Sequence, residues 1–168
     1  MPKPNQKPPR DSTLGSEKNP AMSCMDVKKW GLKTAKSGNY WVNIASKGPQ
    51  KVFCDMETDK GGWTLFFNYV HQPGAELLLD ENKLPINLKS NTHMHLKNAG
   101  FNHRDVKEIR FLCTERQKSE KKYWHFKTMN KEIIETVMSG DQSGLKVFKF
   151  LIIFIFFSLV PYLLLIPN

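Results

Sequence analysis

The sequence predicts an α+β fold, a small antiparallel sheet with short helices, followed by a C-terminal hydrophobic helix. Three observations lead there. Short runs of period two, Tyr40–Ile44, Lys51–Cys54 and Trp63–Tyr69, are separated by glycine-bearing turns, which is the pattern of a meander. Lys131–Met138 places Ile133, Ile134, Val137 and Met138 at helical spacing. Seventeen of the twenty positions 147–166 are apolar, and this run sets the tail apart from everything before it.

With 168 residues, 40% of them hydrophobic, and 17 of the apolar side chains in that tail, the rest of the chain is only modestly apolar and builds one small core. Three cysteines and ordinary glycine and proline counts exclude a disulfide-dense miniprotein, a collagen-like chain and a coiled coil. The first twenty residues hold five prolines and six charged residues but, after Met1, one large apolar side chain, Leu14. Such a stretch buries too little surface to offset its ordering entropy, so residues 1–22 are expected to be a disordered linker. No apolar run follows its basic residues, so it does not read as a secretory signal.

Residues 23–145 carry the expected domain. In the first strand Tyr40, Val42 and Ile44 alternate with Trp41 and Asn43. Lys47-Gly48-Pro49 turns the chain into Lys51–Cys54, and Thr58-Asp59-Lys60-Gly61-Gly62 turns it again into the aromatic third strand. Ser90 is placed to cap a short helix over Asn91–Asn98 that Gly100 stops. Glu108–Cys113, with Ile109, Phe111 and Cys113 alternating, and Tyr123–Phe126 suit strands, and Gly140 ends the helix over 131–138.

Cys24 precedes Tyr40 by sixteen residues, and Ser37-Gly38-Asn39-Tyr40 is followed by Val52-Phe53-Cys54-Asp55-Met56 and by Gly61-Gly62-Trp63-Thr64-Leu65. This order resembles the opening of a fibrinogen C-terminal-like domain, whose pattern runs Cys, Ser-Gly-x-Tyr, Tyr or Phe-Cys-Asp-Met, Gly-Gly-Trp-Thr. The intelectins share the Cys-Asp-Met and Gly-Gly-Gly-Trp-Thr-Leu elements and are the nearest confusable relative of that family. The resemblance covers about forty residues, and implies a Cys24–Cys54 disulfide, which would stabilise by roughly 3 to 4 kcal/mol in the chain-entropy model. Gly61 and Gly62 permit backbone angles that a side chain forbids, and Trp63 is the expected core anchor. Asp55 and Asp59 read as holders of turn amides rather than metal ligands. Beyond Tyr69 the family pattern fades, so the module is expected to be partial, cut before its ligand pocket, and family binding residues are carried onto no position. Sheet edges that the missing part would cover are expected to stay open and to lower solubility.

Cys113 is the odd cysteine, either a buried free thiol or one half of a bond to another chain. His93 and His95 are spaced for a shared face on a strand but not on a helix, and His71, His103 and His125 complete no metal set by spacing. The carboxylates Glu76, Asp80 and Glu81 make no testable pair, and there is no nucleotide loop, nucleophile elbow or zinc-protease motif. No catalytic residue, metal ligand or cofactor is therefore assigned.

A charge of +9 raises nucleic-acid binding, but the densest basic stretch, Arg116 to Lys122, is interrupted by Glu120 and preceded by Glu115, so no specific nucleic acid is expected. Lys121, Lys122, Tyr123 and Trp124 remain as a candidate surface for an anionic ligand. As a helix, Phe150–Ile166 is about 25 Å long, and about 30 Å when counted from Val147 with Lys149 snorkelling. Residues 147–166 are read as a membrane-directed segment: a span, a cleaved glycolipid-anchor signal after Ser139-Gly140-Asp141, or foreign sequence at the end of a fragment. The functional expectation is a non-catalytic extracellular recognition module for a glycan or protein, associated with a membrane through 147–166. The alternative is a membrane-anchored cytosolic adaptor that uses the basic aromatic surface.

Overall fold

The computed structural model describes residues 10–44, 47–68, 70, 83–89, 91–93, 100, 106–114, 123–139 and 162–167. Residues 10–22 of the expected linker are among those described. Asp11 N–H donates to Trp30 O, Trp41 N–H to Gly15 O, Ala21 N–H to Trp41 O and Asn43 N–H to Ala21 O. Residues 10–22 are therefore folded, which corrects the expectation of disorder for them. The physical reason is that ordering here is paid for by backbone hydrogen bonds to a strand edge, a term composition does not register. Residues 1–9 lie outside the described residues.

Helix α1 (Cys24–Trp30) follows, capped by Ser23, whose Oγ accepts from Asp26 N–H at 3.0 Å. No helix is expected from the sequence at 24–30, ahead of the first period-two run at Tyr40–Ile44. The Ser23-x-x-Asp26 spacing is the sequence signal for this helix start. Gly31 N–H closes the helix on Val27 O.

The sheet contains β1 (Gly38–Ile44), β2 (Gly48–Asp55), β3 (Trp63–Asn68), β4 (Thr92–His93), β5 (Ile109–Thr114), β6 (Tyr123–Thr128) and β7 (Tyr162–Pro167). Its order is β1-β2-β3-β7-β5-β6, with β4 paired to β3, and every pairing between these strands is antiparallel. The expected meander is present as β1-β2-β3, with Val42 opposite Gln50 and Cys54 opposite Thr64. A second helix, α2 (Lys131–Ser139), starts after Asn130, whose Oδ1 accepts from Glu132 N–H at 2.9 Å.

Two expectations fail. Thr92 and His93 pair with Asn68 and Phe67 of β3 as a strand, so the helix expected over 91–98 does not begin there; Ser90 and residues 94–99 lie outside the described residues. Tyr162–Pro167 is a strand between β3 and β5, which corrects the C-terminal hydrophobic helix at its end. A continuous apolar run suits a strand flanked on both sides as well as it suits a buried helix, and periodicity does not separate the two. Positions 147–161 lie outside the described residues, and among those described no helix is long and apolar enough to cross a membrane.

Alternation divides the meander into two faces. Val42, Ile44, Val52 and Cys54 bury against Cys24 and Val27 of α1, in a core that also takes Phe66, Ile109 and Ile134. Trp63 and Leu65 pack with Phe53 and Leu88 in a separate cluster. The outer edge of β1 is not open, because Gly15 and Ala21 hydrogen-bond along it.

Candidate functional site

The disulfide-bearing face is closed by covalent chemistry. Cys24 and Cys54 are bonded, with Cα atoms 5.5 Å apart, joining the first turn of α1 to the end of β2. Both residues are fully buried.

From Cys54 the chain enters the turn that reverses it into β3. Asp59, Lys60, Gly61 and Gly62 all have positive φ, at 45°, 69°, 66° and 86°. A Cβ on Gly61 would lie 2.0 Å from Met56 O, so no side chain fits there whatever its rotamer. Gly61 N–H donates to Thr58 O and Gly62 N–H to Asp55 O, each at 2.8 Å. Lys28 Nζ reaches in from α1 to Met56 O at 2.7 Å.

Asp55 organises this turn from the opposite face to Cys54. Its Oδ1 accepts from the N–H groups of Glu57 and Thr58, each at 3.0 Å, and from Ser37 Oγ at 3.3 Å. Its Oδ2 is paired with Arg110 Nη2 at 2.5 Å. Burial pushes the Asp55 carboxyl up, but the Thr58 and Glu57 amides and the Arg110 guanidinium outweigh it and hold it below the ordinary value.

Arg110, the second residue of β5, is completely buried. It also donates to Thr58 O at 3.1 Å, and its guanidinium lies 4.5 Å from the centroid of the Trp63 ring. Trp63 in turn donates its indole N–H to Thr58 O at 3.1 Å and to Asp59 O at 3.3 Å. A cation, a carboxylate and an indole thus converge on one turn. Each supplies what the others lack: charge neutralisation, acceptors for amides, and an aromatic face. Beside them Lys127 of β6 pairs with Asp59 at 2.7 Å and with Glu108 at 3.4 Å.

Of the residues singled out from sequence, Gly61, Gly62 and Trp63 meet in this turn. Asp55 holds turn amides, while Asp59 binds Lys127 instead. Lys121 and Lys122 lie outside the described residues; Tyr123 and Trp124 open β6, in register with Thr114 and Cys113. His93 is in β4, and His71, His95 and His103 lie outside the described residues. Among the described residues no three His, Cys, Asp or Glu side chains group to hold a metal ion. Arg110 was missed. Its signal was available, since an arginine inside the apolar run Ile109-Arg110-Phe111-Leu112 must find a partner if the strand is central.

Residues 21–75 match the family described as fibrinogen beta and gamma chains, C-terminal globular domain. Echinolectin 1 of Echinometra lucunter is 37% identical over 76 residues, covering 40% of this chain and 32% of that protein. Angiopoietin-4 of Mus musculus is 42% identical over 53 residues, 32% of this chain and 10% of its own length. The fibrinogen-like globe domain of human ANGPTL6 is similar at a TM-score of 0.45 with 15% identity, over 64% of this chain and 48% of that one. The chain therefore spans a third or less of the length of these two curated relatives. In residues 21–75, which hold the Cys24–Cys54 bridge, the paired glycines and Trp63, this chain carries a segment of the fibrinogen C-terminal type.

Proposed function

We propose that the chain is a non-catalytic recognition or adhesion module working outside the cell, with a glycan or a surface protein as its ligand. The observation that carries this reading is the coincidence of the family match over 21–75 with the bonded pair Cys24–Cys54. A buried disulfide persists in an oxidising compartment, which favours an extracellular setting over the cytosolic adaptor. Echinolectin 1, by its name a lectin, is among the relatives and supports a glycan. The match stops at residue 75, which fits a module whose ligand-binding part is shortened or replaced. Gly61, Gly62 and Trp63 then serve as scaffold, holding the turn rather than touching ligand.

The test is an array of glycans and cell-surface proteins probed with the full oxidised chain. Saturable binding that disappears when Cys24–Cys54 is reduced is the expected result. Binding indifferent to reduction, or none to any arrayed glycan or protein, overturns the reading.

A further inference from the structure

The turn at 58–60 is tied to β5 and β6 by groups outside the family-matched segment, and one neighbour of that contact is not satisfied. His125 of β6 is two residues from Lys127, so the two share a face, and Lys127 is directly opposite Arg110. Its Nε2 is buried without a hydrogen-bond partner, and so is Nε of Arg110. The charged groups around the imidazole are Arg110 and Glu108 from β5, Asp59 from the turn and Lys127 from its own strand. The acceptors are already committed: Asp55 to Arg110, and Asp59 and Glu108 to Lys127.

We propose that His125 is an acid-sensitive latch, whose protonation adds a third cation beside Arg110 and Lys127 and frees the turn 58–60 from β5 and β6. A protonated imidazole needs acceptors on both nitrogens, and a new ion pair for Nε2 has to be taken from Lys127 or Arg110. Those two side chains are what tie Thr58 and Asp59 to β5 and β6, while Asp55 and Trp63 hold them to β2 and β3. The turn has reason to leave when they let go, because Asp59 and Lys60 are held at positive φ without being glycine. Burial, then the Arg110 charge, already holds the imidazole below its ordinary value of 6.5. With a lowered folded value the neutral form is favoured by folding. The contribution is intact above the unfolded value of about 6.5 and is lost as pH falls below it. The latch is independent of which ligand the module takes.

The experiment is hydrogen exchange of the full oxidised chain, corrected for intrinsic rates, at about pH 7.5 and about pH 5.5, the range in which an imidazole changes charge. The amides of Gly61 and Gly62, bonded within the turn, are expected to lose protection several-fold at the lower pH. His125→Gln is expected to abolish that difference. An equal acid response in His125→Gln, or none in the unaltered chain, overturns the proposal. If the variant does not fold, NMR titration of the His125 imidazole in the unaltered chain decides instead. Half-protonation below 6.5, accompanied by shifts at Gly61 and Gly62, supports the latch; a midpoint at or above 6.5, or no coupled shift, overturns it.

Discussion

The two faces of the meander are stabilised by opposite means. Where Val42, Ile44, Val52 and Cys54 meet α1, the chain buries aliphatic surface and locks it with a covalent bond. Where Asp55 and Trp63 meet Arg110, it buries a charge pair and satisfies a turn with hydrogen bonds. The first depends on how much apolar area leaves water, and pH hardly touches it. The second depends on each partner keeping its charge, since a buried ion left alone costs far more than the intact pair contributes. The difference also follows the chain: both cysteines lie in the family-matched segment, whereas Arg110 and Lys127 lie beyond it.

The most damaging single change should be Gly61→Ala, because it forces a Cβ into the Met56 carbonyl at a position of positive φ. Loss of cooperative thermal unfolding by circular dichroism is the expected outcome, and a melt like that of the parent would show that the turn is not fixed as described. Next, Arg110→Ala strands the Asp55 carboxylate and is expected to cost about 3 to 5 kcal/mol in urea unfolding. Pairing Arg110→Met with Asp55→Asn should recover much of that, since the isolated charge is then gone. A double variant as unstable as the single one would mean the pair itself contributes net stability. Removing the disulfide with Cys24→Ala and Cys54→Ala is expected to cost about 3 to 4 kcal/mol for a loop of this length. Its signature should be a lower urea midpoint with the pH profile unchanged.

Acid separates the faces further. With its folded value held below 3.8, Asp55 contributes stability that is present above the unfolded value and lost as pH falls through the folded one. A pH series of urea midpoints should show this decline in the disulfide-less chain and lack most of it in Asp55→Asn. Smallest of all is Lys127→Met. Its side chain is 46% exposed, so the Asp59 contact is screened by water and the midpoint near neutral pH should barely move. A large drop would place Lys127 with Arg110 as a structural cation.

The local pattern of the chain determined much of this. Alternation at Val42 and Ile44, the glycine turn before Trp63 and helical spacing at 131–138 located β1, β3 and α2, because neighbouring residues alone set those periods. The spacing of Cys24 and Cys54 within a recognised motif pointed to their bond. Tertiary structure decided the rest. Residues 10–22 look unfoldable until a strand edge is there to accept their hydrogen bonds. The Leu163–Leu165 run becomes a strand because β3 and β5 flank it. Asp55 and Arg110, separated by 55 positions, become one clamp only after β5 enters the sheet, since no local periodicity encodes which distant charge will neutralise a buried one.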